Sequence, residues 1–261
     1  ITAWQASSPM IFLRSLLFML GLVVTTPPAG LVLLAMFWAP ARWRRQVVML
    51  WVHTACWMIR RLLRIDFQVR GRENIPDGPY VILSKHQSAW ETIVLQQVFP
   101  LPAFVYKREL HWLPFFGWGL ALMPFVAIDR GAGKDALNRL AVLGKRRLDE
   151  GYPVIIFPEG TRVAPGEKKR FKVGGAYLAV QAGAPALPVA LNSGEFWGRQ
   201  AFFKRPGTVT VSIGPAIDPA GLSPEEVTRR AEAWIQAEMS RISPHLYPAQ
   251  EDASERNLSP S

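Results

Sequence analysis

Apolar positions run almost unbroken from residue 11 to residue 39, relieved only by Arg14, Ser15 and the break Thr25-Thr26-Pro27-Pro28. Proline lacks the N–H that a helical ladder needs, so the stretch reads either as one kinked span or as two short helices in a hairpin. A second apolar stretch, Val47 to Ile59, has basic residues on both sides. At 1.5 Å per residue it reaches about 20 Å, short of the ~30 Å hydrocarbon core, which predicts a helix lying in the membrane interface. From Asp66 the pattern changes, and short runs of β-formers alternate with longer runs of helical period. Strands are predicted at 66–70, 79–84, 103–106, 123–128, 153–157, 186–191 and 208–213. Helices are predicted at 88–98, near 110–119, and at 133–150, 172–182 and 223–241. The helix over 133–150 is amphipathic, with Leu137, Leu140, Ala141, Leu143 and Leu148 opposite Lys134, Asp135, Arg139, Lys145 and Arg146. This alternation predicts an α/β fold.

The pattern divides the chain into a membrane-associated helical segment over residues 1–64, an α/β domain over 65–243 and a tail over 244–261. From about His245 the chain is polar and aperiodic, which predicts disorder. The sequence starts at Ile1, and Met10 opens the first apolar run, so residues 1–9 read as an upstream translation artefact or a ragged fragment end. Ala39-Pro40-Ala41 makes a poor cleavage site, and the apolar pattern soon resumes, which argues against a signal peptide. Gly131-Ala132-Gly133-Lys134 looks like a phosphate loop but lacks the spacing and the hydroxyl residue of one, and reads as a turn with a helix start. Ser223-Pro224 supplies an N-cap and a proline at the first position of the last helix.

Charge sharpens the membrane reading. The formal net charge is +10, yet residues 1–72 carry Arg14, Arg42, Arg44, Arg45, Arg60, Arg61, Arg64, Arg70 and Arg72 against the single acid Asp66. Basic residues flanking apolar helices suit an anionic lipid surface, at about 1 kcal/mol each. The ten Trp and fourteen Phe also suggest contact with an interface. Nucleic acid is disfavoured as a partner, because no recognition motif occurs and the arginines interleave with Trp, Leu and Met. A single cysteine, Cys56, excludes an internal disulfide and a thiolate metal cluster. The four histidines have no ligand spacing, so no metal is expected.

Two stretches carry candidate chemistry. Tyr80 to Thr92 passes from a β-rich run through the polar joint Ser84-Lys85-His86-Gln87-Ser88 into a helical pattern. His86 and Glu91 are five residues apart, about 140° on a helix, so His86 must precede the helix and Glu91 lie in its first turn. Ser88-Ala89-Trp90-Glu91 fits a capping box, which explains serine and glutamate without catalysis. A histidine facing a carboxylate also fits an oriented general base, and this stretch alone leaves both readings open. Pro153 to Arg162 is a second buried strand running into a polar turn, Phe157-Pro158-Glu159-Gly160-Thr161-Arg162. Gly160 permits positive φ, and Arg162 offers a planar fork suited to phosphate, unless it pairs with Glu159 and merely holds the turn. Lys168, Lys169, Arg170 and Lys172 follow, either as a solvated face or as a continuation of an anion site. No Gly-x-Ser-x-Gly elbow occurs, so a serine hydrolase would lack its nucleophile.

These stretches resemble a known family. His86-Gln87-Ser88-Ala89-Trp90-Glu91 is similar to its H-x4-D/E motif and Phe157 to Arg162 to its FPEGTR motif. Lys107-Arg108-Glu109-Leu110 with Pro114-Phe115-Phe116-Gly117 resembles the block between them, and Leu187-Pro188-Val189-Ala190 the fourth. Together, over roughly residues 66–215, they resemble the 1-acylglycerol-3-phosphate acyltransferases; Glu91 stands where Asp is commonest in the family.

The resemblance implies a mixed, mostly parallel sheet flanked by helices, with membrane-associated helices before it. It implies transfer of a fatty acyl group from an acyl-ACP or acyl-CoA thioester to the sn-2 hydroxyl of lysophosphatidate. His86 would be the general base and Glu91 would orient it. Lys107, Arg108, Glu159, Gly160, Thr161 and Arg162 would bind substrate, with Pro188 shaping the wall. No cofactor beyond the thioester co-substrate is implied, and the expected place is the cytoplasmic face of a bacterial inner membrane. The alternatives are a same-fold acyltransferase with another acceptor, such as a lyso-ornithine lipid or glycerol 3-phosphate, and a non-catalytic membrane-binding protein.

Overall fold

A computed structural model describes residues 9–248 except 101, 130 and 132. Strands β1 (Ile65–Arg70), β2 (Val81–Ser84), β3 (Ala103–Lys107), β4 (Val126–Ile128), β5 (Val154–Ile156), β6 (Ala186–Leu191) and β7 (Gly207–Ile213) form one sheet in the order β1-β7-β6-β2-β5-β3-β4. Every neighbouring pair is parallel except β6 and β7. The helices are α1 (Pro9–Ala35), α2 (Ala41–Arg61), α3 (Trp90–Val98), α4 (Phe116–Ala121), α5 (Gly133–Asp149), α6 (Gly174–Ala182) and α7 (Pro224–Ile242). The sheet is thus mixed and mostly parallel with helices on both faces, as expected.

Strand β2 is buried on both faces, so its side chains feed two cores. Ile82 joins the core that packs α1, α2 and α3 on one face, while Val81 and Leu83 join the core with α5, α6 and α7 on the other. Because β2 and β5 are parallel and Leu83 lies opposite Ile156, the turns that follow them emerge on the same rim. The last helix starts as its sequence predicts, with Ser223 Oγ accepting from the Glu226 N–H at 3.2 Å and Pro224 in the first turn.

The N-terminal region departs from its simplest reading. Of the two alternatives for residues 11–39, the structure takes the single span over the hairpin, for α1 continues through Pro27 and Pro28. At 27 residues it is long and apolar enough to cross a membrane. Helix α2 does not simply float in an interface: Val52, Ala55, Cys56 and Ile59 recur at helical spacing and are buried in the first core. Trp43, Leu50 and Trp57 of the same helix are exposed. As far as residues 1–64 are described, Phe18 of α1 and the buried stripe of α2 join the same core as the α/β domain.

Helix α1 docks at two places. Near its start, Ser15 Oγ accepts from the Lys204 backbone N–H at 3.0 Å, and Phe18 meets Trp197 edge-on with centroids 5.2 Å apart. Near its end, Gly30 lies so close to the chain that a Cβ there would fall 2.8 Å from the Cβ of Phe115. Phe115 itself has φ 60 and ψ −57, and the Phe116 N–H donates to the Pro114 carbonyl at 2.6 Å. That is a γ-turn of the rare, strained hand, held by the helix wedged against it.

Residues 244–248 do not behave as the disordered tail expected from residue 244. Tyr247 is buried and His245 Nε2 lies 3.2 Å from Glu195. The rest of that stretch, like residues 1–8, lies outside the described residues.

Candidate active site

The joint between β2 and α3 is buried from Ser84 through Ser88. Such a turn strands backbone N–H groups away from water, and they must be bonded somewhere. Glu91, fully buried in the first turn of α3, accepts from the N–H of Gln87 at 3.1 Å and of Ser88 at 3.0 Å. The same carboxylate lies 3.3 Å from His86 Nδ1 and also accepts from the hydroxyl of Ser193. Capping and orienting are therefore done by one group at once. Ser88 is not the cap itself; its Oγ accepts from the Trp90 N–H at 3.1 Å just before the helix. A carboxylate facing Nδ1 favours the tautomer in which that nitrogen donates, with Nε2 then an acceptor.

The second motif encloses His86. Phe157 stacks on the imidazole with centroids 3.8 Å apart and planes at 14°. Glu159 Oε2 accepts from the His86 backbone N–H at 3.1 Å, and the His86 carbonyl accepts from the Val163 N–H at 2.8 Å. The other oxygen of Glu159 meets Lys85 Nζ at 3.1 Å in an ion pair from which water is almost excluded. Burial pushes the Glu159 carboxyl up to about 7, with the Lys85 ammonium opposing the shift. Glu159 is thus engaged by Lys85 and the His86 backbone, and no ion pair between it and Arg162 occurs among the described residues.

A chamber of about 410 Å³ opens beside His86. Trp51, Ile93, Phe104, Phe116 and Phe157 give it an apolar wall, and α1 contributes Thr26, Ala29, Gly30 and Leu33. His86, Arg162, Lys107 and Tyr106 are its charged or titratable lining groups. Arg162 makes a long contact, 3.4 Å, from Nη1 to the Arg199 carbonyl. Burial pulls its guanidinium down, and the nearby Glu91 carboxylate opposes this. Arg162 is therefore close to the His86–Glu91 pair.

Of the other sequence candidates, Gly160 takes φ 70, the left-handed turn its residue type allows, and Thr161 is half-buried beside it. Lys107 is exposed at the chamber edge and paired with Glu109 at 3.1 Å. Arg108 points elsewhere, to Asp129 at 3.0 Å, and Pro188 is enclosed in β6; neither lines the chamber. Sequence reasoning missed Ser193, Lys85 and Tyr247. Tyr247 bonds Gln87 Nε2 at 3.1 Å, and Gln87 Oε1 accepts from the Gly194 N–H at 3.0 Å. These tie the joint to residues more than a hundred positions away, which no local spacing signals.

Comparison with known proteins gives a consistent picture. A family model described as Acyltransferase matches residues 66–192. A 1-acyl-sn-glycerol-3-phosphate acyltransferase of Pseudomonas aeruginosa is 49% identical over 203 residues, 77% of this chain and 79% of that protein. The alpha form of 1-acyl-sn-glycerol-3-phosphate acyltransferase from Mus musculus is 33% identical over 66% of this chain and 62% of its own length. The crystal structure of the 1-acyl-sn-glycerophosphate (LPA) acyltransferase PlsC from Thermotoga maritima superposes with a TM-score of 0.74 at 26% identity, covering 88% of this chain and 95% of that one.

Proposed function

The chain belongs to the 1-acyl-sn-glycerol-3-phosphate acyltransferase family, and from that premise we propose how its residues convert lysophosphatidate into phosphatidate. The enzyme acylates the sn-2 hydroxyl of lysophosphatidate; the donor is a fatty-acyl thioester of acyl carrier protein or coenzyme A. One observation carries the mechanism: His86, held by Glu91 at Nδ1, lines an apolar chamber together with Arg162.

His86 Nε2 takes the proton of the acceptor hydroxyl as its oxygen attacks the thioester carbonyl. The C–O bond forms, the tetrahedral intermediate collapses, and the C–S bond breaks. The departing thiolate recovers the proton from the imidazolium, which Glu91 stabilises meanwhile. Direct attack by the acceptor needs no acyl-enzyme intermediate. Arg162, with Lys107 at the edge, holds the acceptor phosphate by charge-assisted hydrogen bonds. The apolar wall takes an acyl chain.

The exposed apolar face of α1, including Leu13, Leu20, Val23, Val24 and Leu31, supports membrane association, and its basic flanks suit an anionic leaflet. We assign the chain to the inner membrane of a bacterium with the site reached from the cytoplasmic side. The lipid acceptor then arrives from the bilayer and the donor from the cytosol.

Purified enzyme in detergent, supplied with lysophosphatidate and an acyl thioester, should form phosphatidate. The His86→Ala variant should lose at least about 10²-fold in turnover with its unfolding temperature unchanged, since general bases contribute about 10²–10⁴-fold. A well-folded variant with near-normal turnover sinks the mechanism.

A further inference from the structure

The loop from Val163 to Lys172 is tied to the active site at both ends. Its first N–H donates to the His86 carbonyl at 2.8 Å, and the N–H of Lys172 donates to the Pro158 carbonyl at 2.9 Å. Between these ties Lys168, Lys169 and Arg170 are exposed, with Glu167 the one acid beside them. Lys168 is four residues from the second tie, so it stays within about 14 Å of it along the chain.

Three observations set this cluster apart. First, the other run of three consecutive cations, Lys145-Arg146-Arg147, is paired with Asp149 and Glu150, whereas Lys168, Lys169 and Arg170 enter no ion pair among the described residues. Second, its only large apolar member, Phe171, is buried. A lipid-binding surface interleaves basic residues with exposed anchors, as α2 does with Trp43, Leu50 and Trp57, and this loop has none. Third, the three residues line neither the chamber nor any of the four best-formed other hollows among the described residues, so none of these gives a nucleotide a concave seat at the loop. Charge displayed on an exposed loop suits steering of a macromolecule of opposite sign.

We propose that Lys168, Lys169 and Arg170 form an electrostatic docking surface for an acidic carrier protein, which delivers the acyl group on a flexible thioester arm to His86. The proposal rests on the thioester-donor reading above and narrows the donor. Arg199, exposed and with its carbonyl 3.4 Å from Arg162 Nη1, adds a further cation beside the chamber.

The test is the triple variant Lys168→Glu, Lys169→Glu, Arg170→Glu, leaving Lys172 in place because its side chain lies across Gly160. Palmitoyl-ACP and palmitoyl-CoA are compared as donors, and direct binding of fluorescently labelled carrier protein is measured by anisotropy. The KM for palmitoyl-ACP and the carrier Kd should each rise about tenfold or more, and their salt dependence should flatten. The KM for palmitoyl-CoA should stay within about twofold, since no steering contact to that donor is lost. Carrier binding unchanged by the substitutions overturns the proposal. So does an equal loss with both donors accompanied by weaker binding to anionic vesicles, which makes the loop a membrane surface. If the wild-type enzyme turns over neither donor, the acyl-transfer reading fails, while the anisotropy measurement still decides whether the carrier docks.

Discussion

Ser193 and Glu91, 102 residues apart in sequence, meet in the core, where the serine hydroxyl donates to the carboxylate that faces His86. The contact exists because β6 lies beside β2, with Ser84 opposite Val189, so the turn after one strand reaches the joint after the other. The serine and the two backbone N–H groups leave Glu91 no spare freedom to rotate away from the imidazole.

Glu91→Gln should lower turnover by about 10²–10⁴-fold without unfolding the protein. An amide has one acceptor oxygen where the carboxylate has two, and Glu91 is met by the Gln87 and Ser88 N–H groups, the Ser193 hydroxyl and His86. The amide nitrogen must then face a donor, and the imidazole loses its tautomer or its place. Steady-state kinetics beside a thermal melt decides it; full activity in the Glu91→Gln variant would reduce the carboxylate to a cap.

Ser193→Ala should have a milder effect, because it removes one of several donors. A buried hydrogen bond to a charged group contributes about 1.5–3 kcal/mol, so turnover should fall roughly 10-fold and stability by a similar order. The loss should appear in kcat more than in either KM, since the serine touches only the orienting carboxylate. An effect confined to the acceptor KM would instead make Ser193 a substrate contact.

Arg162→Ala should raise the acceptor KM by roughly 10–150-fold, the equivalent of one charge-assisted pair, with less effect on the donor KM. The decisive comparison is an uncharged monoacylglycerol acceptor. If the variant handles that as poorly as it handles lysophosphatidate, the arginine braces the turn and does not hold phosphate.

Glu159 predicts a pH dependence of stability. Its carboxyl is raised by burial from 4.5 in the open chain to about 7 in the fold. The folded state therefore holds this proton more tightly than the unfolded one. The contribution is fully present below about 4.5 and is lost as the pH rises through about 7. Melting temperatures of the wild type should fall across that window relative to Glu159→Gln, which has nothing to titrate there. Parallel curves would show that Lys85 keeps the carboxylate ionised throughout.

What could be read from the sequence was the local part. The periodicity located the strands and long helices within a few residues, because each is dictated by its own apolar spacing and ends at residues such as Ser223-Pro224. His86 and Glu91 were legible because a strand, a joint and a helix lie within thirteen residues. The role of Glu159 was not. A carboxylate in a turn with an arginine three residues on looks like a ligand group, and only the parallel pairing of β2 with β5 puts it under the backbone of His86. The burial of α2 was likewise hidden, since an amphipathic basic helix looks the same whether a sheet or a lipid leaflet covers its apolar stripe. Tyr247 shows the same limit in reverse: a polar, aperiodic segment can still lend one aromatic ring to a distant core.

The chamber beside His86 has one wall that belongs to α1, through Thr26, Ala29, Gly30 and Leu33. In the proposed mechanism, shielding of the thioester from water would therefore be shared between the α/β domain and its apolar N-terminal helix. Were that helix to lift away, a base at His86 would find water within reach and would hydrolyse the donor. Seating the helix would then do more than keep the enzyme near its lipid; it would decide whether an activated acyl group is transferred or wasted.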